Sequence, residues 1–518
     1  MEDDRRGTKG VGFFREPLPR LLVLGALLAA AFSVRVYGIS RPPMEFFSVR
    51  QYHGALLARG FYEWLLTGSL RTFPPDGIIE PPILELLASL AYLVSGGEHL
   101  WMPRLLSALF WMAGGVFLYL VARKLVPPSA AVFSVAFYLF VPYGVFASRA
   151  LMPDPLMVML LVAGVLAVLR YHERPSMRRL LVAAAASSLA VLVKPGICLF
   201  QLFGAFVALA VYRRGVRGTL LDAHTLAFAA LAALPTCVYF LYGTVFAGFL
   251  RGQTSSKIVP RLLLEPSYWE GWQLSVWLVV GNVALLGGLL GVILPSEGSP
   301  RRALLVGLWG GYLLFGLTFT FHIHTHSYYS LQLVPAVALS LAAVATSVTG
   351  YLGRIGLRSY GGAAVLGVTL AALALGLAEH KWEISQIVHQ DSVATVYASN
   401  VATYHEIGDA VDHSRRTLVL FAAYPSGESR AGALMYHGRL AGRVLPSPVN
   451  ANQTPTGGGG AGSEGRLRRR LREYAPEYFV VSEYWWRAPE TGALRRLVAK
   501  DFHRSSMGPG YVVFRSDQ

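Results

Sequence analysis

The chain has 518 residues, of which 54% are hydrophobic and only 15% charged, where a soluble globular protein carries about 25% charged residues. A soluble enzyme is therefore excluded, and the composition is that of an integral membrane protein. The net charge of +16 does not point to nucleic acid, because the excess sits largely in short Arg-rich links between apolar segments, the pattern of cytoplasmic loops.

The start, MEDDRRGTKGVGFFREPLPR, is charged and leads into LLVLGALLAAAFSVRVYG. LAAAFS resembles a small-residue cleavage site, but the reading preferred here is a retained signal-anchor helix. A helix crosses a membrane with about 20 apolar residues. On that measure the chain order gives spans near 19–38, 103–122, 129–147, 155–170, 180–194, 196–212, 225–245, 272–294, 303–321, 328–349 and 361–379. The segment 180–194 is short and interrupted by Lys194-Pro195, so 180–212 reads as two spans, one broken span or a re-entrant hairpin. Cys198 and Cys237 lie inside apolar runs, where a thiol acts as a small hydrophobe.

The links Arg123-Lys124, RYHERPSMRR (170–179), YRRGVR (212–217), PRR (300–302) and GRIGLR (353–358) fall at alternate ends of successive spans, all on the same side as the amino terminus, and the positive-inside rule makes that side cytoplasmic. Facing outward are then loop 39–102, the turn RALMPDP (149–155), loop 246–271, HIHTHS (322–327) and residues 380–518. Within the first loop, Val49 to Leu66 predicts an amphipathic helix and 81–94 a short apolar one, both lying at the interface.

Residues 380–518 lose the membrane pattern. TLVLFAA (417–423), GRVLP (442–446), EYFVVSE (477–483) and GYVVFRS (510–516) read as strands, and RLRRRLREY (466–474) and ALRRLVAK (493–500) as helices between them, which predicts a small α/β domain. TPTGGGGAGSEG (454–465) is a flexible glycine-rich loop. The expected division is 1–380, a mainly α polytopic bundle of about eleven spans, and 381–518, an extracytoplasmic α/β domain.

Ionisable residues cluster on the outward side. Glu45 follows Arg41-Pro42-Pro43 beside the first span, where a partly dry cleft would raise a carboxylate pKa and suit it to act as a general base; alternatively it pairs with Arg50 or Arg59. Near it in sequence stand Arg50, Gln51, His53 and Arg59, then Asp76 and Glu80. Other outward turns add Arg104, Arg149, Asp154, Lys194, His324 and His326. Asp154 also fits an N-cap of the helix that follows it. The histidines of HIHTHS would share one face of an extended segment, which suits zinc, but no cysteine partner accompanies them and no metal site is assigned; a divalent ion remains an open expectation.

EFFSVRQYHGALLARGFY (45–62) resembles the first extracytoplasmic loop of the GT-C fold glycosyltransferases that use dolichyl- or undecaprenyl-phosphate sugars, the protein O-mannosyltransferase-like and lipid A aminoarabinose transferase-like enzymes. EPPILELL (80–87), WMPRLLSALF (101–110), SRALMPDPLM (148–157) and HSYYSLQLVPAVAL (326–339) follow in that family's order. The resemblance implies that Glu45 occupies the place of a catalytic acid, usually Asp, and that Asp154 matches the acid of a Met-Pro-Asp turn. His53 stands where many relatives carry an acid. The donor implied is a polyprenyl-phosphate monosaccharide, and Arg50, Gln51, His53, Arg59, Glu80, Arg104, Arg149, Lys194, His326, Tyr328 and Tyr329 are its candidate phosphate and sugar ligands. The acceptor would be a glycan, lipid or protein outside the plasma membrane. The rival readings are a transporter or lipid flippase, which also places charges in membrane cavities, and a binding protein of the same fold without catalysis.

Overall fold

The computed structural model describes residues 17–43, 46–69, 78, 80–220, 222–250, 258–294, 300–355, 378, 390–422, 430–445, 468 and 471–517. The chain divides into two compact units, one of Met1–Arg41, Ile79–Leu84 and Trp101–Ser385, the other of Pro42–Ile78, Glu85–Leu100 and Gln386–Gln518.

In chain order the helices are α1 (Leu18–Val36), α2 (Ser48–Thr67), α3 (Ile83–Ser95), α4 (Trp101–Ala122), α5 (Pro128–Phe140), α6 (Pro142–Ser148), α7 (Asp154–Glu173), α8 (Met177–Val193) and α9 (Leu199–Arg214). There follow α10 (Arg217–Leu220), α11 (Ala223–Leu241) with a π-helical extension Tyr242–Phe246, a 3-10 turn Pro260–Leu264, α12 (Pro266–Val280), α13 (Asn282–Ile293), α14 (Arg301–Thr318), α15 (Thr320–Thr325), a 3-10 turn Ser327–Gln332 and α16 (Leu333–Arg354). Among the described residues, five helices are long and apolar enough to cross a membrane, or up to seven if each of two bent pairs is one span. Of the other expected spans that fall on described residues, two are helical but short, α8 with 17 residues and α9 with 16, and the third, α14, has 18 residues but is not among the five. The expected span 361–379 lies almost wholly outside the described residues.

Two expected straight spans are broken. At 129–147 the helix bends by 60° between α5 and α6, because Pro142 has no N–H and disfavours helical geometry at Val141. The carbonyls this frees are met by side chains. Tyr138 O accepts from Trp111 Nε1 at 3.2 Å, and Leu139 O accepts from the buried Arg35 guanidinium at 2.8 Å, while Arg35 Nε donates to Ser148 Oγ at 2.7 Å. At 272–294 the chain turns by 92° between α12 and α13, about Gly281 at φ +75°. The segment 180–212 resolves into two helices separated at Lys194-Pro195-Gly196, with Gly196 at φ +87°.

Small residues bring α9 and α14 backbone to backbone. A Cβ added at Gly204 would collide with the Gly307 carbonyl, and one at Gly307 with that of Gly204. Close backbone approach of this kind substitutes for the hydrophobic driving force that lipid does not supply.

In the second unit α2 and most of α3 join α17 (Gln390–Ala410), α18 (Ala431–His437), α19 (Glu483–Arg487), α20 (Gly492–Asp501) and a five-stranded sheet. The strands are β1 (Thr417–Leu420), β2 (Gly442–Val444), β3 (Tyr478–Ser482), β4 (Phe502–Gly508) and β5 (Tyr511–Ser516), in spatial order β2-β1-β3-β5-β4. β1 runs parallel to β2 and β3; β5 is antiparallel to β3 and β4. The strand β4 was not expected, because FHRSSMG lacks an apolar run; it is an edge strand and exposes most of its side chains. Leu418, Phe479, Val481, Trp485, Val498 and Phe514 centre the core of this domain. The glycine-rich loop 454–465 lies outside the described residues, as does the expected helix 466–474 apart from Arg468 and 471–474.

Candidate active site

In the membrane unit the candidate residues meet at a buried ion pair. Pro153-Asp154-Pro155 opens α7, where proline at the start costs no helical hydrogen bond. Asp154 is not the N-cap: Pro153 holds that position and no side chain caps the helix. The carboxylate goes instead to Lys194, whose Nζ lies 2.6 Å from Asp154 Oδ1, with both side chains 1% exposed. Lys194 ends α8 in extended geometry, as the residue before a proline tends to. Its ammonium also lies 4.3 Å from the Tyr328 ring centroid and 4.5 Å from that of Tyr329, in cation–π range. Both tyrosines sit on the 3-10 turn before α16, and the same turn supplies Ser327, 2.7 Å from Tyr143 Oη.

His326 leads that turn, and Thr325 Oγ1 lies 2.7 Å from its Nδ1. The HIHTHS segment is not extended. Residues 320–325 form α15, so His322 and His324 project about 200° apart around a helix instead of along one face. Among the described residues no cluster of three or more His, Cys, Asp or Glu could hold a metal ion.

Arg104 and Arg149 are fully buried. Arg104 donates to the carbonyls of Ile39, Arg41 and Arg149 at 2.7, 2.6 and 2.9 Å, and Arg149 donates to that of Tyr37 at 2.5 Å. These guanidiniums gather the carbonyls of Tyr37, Ile39 and Arg41 in the turn that follows α1. Glu80 lies within electrostatic range of Tyr239.

In the second unit, Arg50, Gln51, His53 and Arg59 lie on α2. Gln51 is buried, and its Nε2 donates to the carbonyls of Pro43 and Phe46 at 3.4 and 2.5 Å. Phe47, at the helix start, adopts a left-handed conformation at φ 41°. Arg59 is committed elsewhere: its Nε contacts both Glu98 oxygens at 3.1 and 3.0 Å and a terminal nitrogen donates to Tyr436 O at 2.9 Å. Glu98 raises the Arg59 pKa against the lowering effect of burial. Glu45 and Asp76 lie outside the described residues.

Sequence reasoning did not single out Tyr143, Ser327, Arg35 or the fully buried Gln201 and Gln332. The signal available was each polar residue's place within an apolar run. Arg35 and the glutamines carry it plainly, whereas tyrosine and serine are too common in membrane helices to stand out.

Residues 79–242, a stretch that contains Glu80, Arg104, Arg149, Asp154 and Lys194, match the family described as Dolichyl-phosphate-mannose-protein mannosyltransferase. No curated protein matches the chain in sequence. Its fold is similar to that of ArnT from Cupriavidus metallidurans in the apo state, at 13% identity and TM-score 0.57, over 96% of this chain and 98% of that one. The same protein bound to undecaprenyl phosphate matches at 14% identity and TM-score 0.56, with the same coverage. The archaeal oligosaccharyltransferase AglB from Archaeoglobus fulgidus, in complex with an inhibitory peptide and a dolichol-phosphate, matches at 14% identity and TM-score 0.55, over 91% of this chain and 70% of that one. The fold so defined is the one seen in the solved ArnT and AglB structures. The family match covers the segment that carries the Asp154–Lys194 pair.

Proposed function

We propose that the protein moves a sugar from a polyprenyl-phosphate monosaccharide to an acceptor outside the plasma membrane, a glycan, lipid or protein, with Glu45 as the general base. Glu45 takes the proton of the acceptor hydroxyl as its oxygen bonds to the anomeric carbon. The bond from that carbon to the phosphate oxygen breaks, and polyprenyl phosphate leaves. A single displacement of this kind inverts the anomeric centre. Residues 1–380 form the catalytic part in this reading, and residues 381–518 an extracytoplasmic domain.

The observation that carries the reading is the Asp154–Lys194 pair, buried under Tyr328 and Tyr329 in the segment similar to a lipid-phosphate-sugar family. A buried ion pair in a membrane protein is costly, so its presence argues for a functional role. In this role Lys194 faces the negative charge that grows on the departing phosphate, and Asp154 holds the ammonium and binds sugar or acceptor hydroxyls. Arg50, Gln51 and His53 bind the donor headgroup. The solved ArnT bound to undecaprenyl phosphate and AglB with a dolichol-phosphate supply the lipid class.

The test is transfer of radiolabelled sugar from a panel of polyprenyl-phosphate monosaccharides by purified wild type and Glu45→Gln, with and without EDTA. Glu45→Gln should lose on the order of 100-fold or more in turnover while still binding donor, as removal of a general base does. Equal turnover in the variant moves the base to another residue. Absence of both transfer and donor binding in the wild type restores the transporter and inactive-scaffold readings.

A further inference from the structure

The helix α2 is fastened to the carboxyl-terminal domain at two points on one face, two turns apart. Toward its start, Tyr52, 1% exposed, places its Oη 2.8 Å from His437 Nε2, with ring centroids 5.4 Å apart. Seven residues on, Arg59 stacks on the Tyr436 ring at 4.0 Å from its centroid and donates to the Tyr436 carbonyl at 2.9 Å, while Glu98 holds its Nε. A spacing of seven returns a helix to nearly the same face. At the first point the fit is close: a Cβ added at Gly432 of α18 would stand 3.3 Å from Tyr52 Cβ. Behind α18, Tyr404 and His405 of α17 line the far side of His437, with ring centroids at 6.2 and 6.0 Å.

We propose that the carboxyl-terminal domain is the mount of α2: the pairs Tyr52–His437 and Arg59–Tyr436, the latter braced by Glu98, are positioning contacts that fix the helix carrying Arg50, Gln51 and His53. This rests on the reading above, in which those three residues bind the donor headgroup. Arg59 is then a positioning residue and not a donor ligand, and the soluble domain acts on catalysis through α2. Two separated anchors fix rotation as well as height. One hydrogen bond alone would leave the helix free to turn about its own axis.

The test uses the full-length protein in detergent, with His437→Phe, Arg59→Met, Arg59→Lys and, as a control for general loosening of the domain, Leu497→Ala in its core. Amide exchange across residues 48–67 should speed up on the order of tenfold in His437→Phe and Arg59→Met, and kcat should fall by at least a similar factor, since misplacement of about 1 Å costs up to about 100-fold. Arg59→Lys, which keeps the charge, should retain more kcat than Arg59→Met. Leu497→Ala should lower Tm and leave kcat as in the wild type. Unchanged exchange in α2 overturns the proposal, as does faster exchange with wild-type kcat, or a kcat loss in Leu497→Ala equal to that in His437→Phe. Should the wild type transfer no sugar from any donor, the functional reading fails and exchange alone decides on the mount: faster exchange supports it and unchanged exchange overturns it.

Discussion

Lys194 Nζ lies 2.6 Å from Asp154 Oδ1, and neither side chain is more than 1% exposed. Removing one partner takes the counter-ion at this contact from the other's buried charge, which costs about 3–5 kcal/mol. Asp154→Asn and Lys194→Met are each expected to lower stability by that amount in thermal unfolding of the purified protein. The double variant should recover part of the loss, because a pair of neutral groups has no charge to desolvate. A loss in the double variant equal to the sum of the singles shows two independent roles and no pair.

His437 gives the second unit a pH dependence. Burial, with His405 and Arg59 adding repulsion, lowers its pKa from 6.5 to about 4. Its Nε2 lies 2.8 Å from Tyr52 Oη. Facing it are Tyr52 and Arg59 of α2, Tyr404 and His405 of α17, and its neighbour Tyr436. Between pH 6.5 and 4 the unfolded chain binds the proton that the folded chain refuses. The stabilisation is therefore complete above about pH 6.5, shrinks as pH falls, by up to about 1.4 kcal/mol per unit, and is gone below pH 4. Unfolding measured from pH 7.5 to 4 should show this slope in the wild type and a flatter one in His437→Phe.

Arg35 props the bend between α5 and α6. Arg35→Met keeps the volume of the stem but strands the Leu139 carbonyl, while Ser148 loses one donor and keeps its own bond to Val145 O. A stranded buried group costs about 1–3 kcal/mol. Thermal unfolding should register a loss of that order, and Arg35→Lys, which reaches only one partner, should fall between. A variant as stable as the wild type shows that the bend is held by Pro142 and Trp111 without it.

Phe479 of β3 is fully buried in the core of the α/β domain. Phe479→Ala removes its contacts and leaves a cavity, for about 3–5 kcal/mol. Limited proteolysis should then cut residues 386–518 faster than wild type while the membrane helices stay protected.

The helices were legible because a membrane span declares itself by length and apolarity, and EYFVVSE and GYVVFRS show the β-branched runs of buried strands. The breaks were harder. YLFVPYGVF is apolar on both sides of Pro142, so hydropathy alone carries the helix straight through it, and WLVVGNVALL hides the turn at Gly281 in the same way. β4 escaped because an edge strand need not be apolar. At the site, Asp154 and Lys194 each stood out as ionisable residues beside spans, but their pairing is a fact of α7 against α8, 40 residues apart in sequence. Arg59 reads in the sequence only as a basic residue beside a candidate site, and the fold is what reveals Glu98 and Tyr436 around it.

The glycine contact between α9 and α14 limits how the bundle can change shape. Where side chains separate two helices, rotamer changes let them slide or spread; where carbonyl meets Cα, there is nothing to rearrange. Gly204 and Gly307 thus weld their helices into a single rib. Any breathing of the bundle must be taken up in other seams, and substituting alanine at either glycine would act as a wedge in the frame.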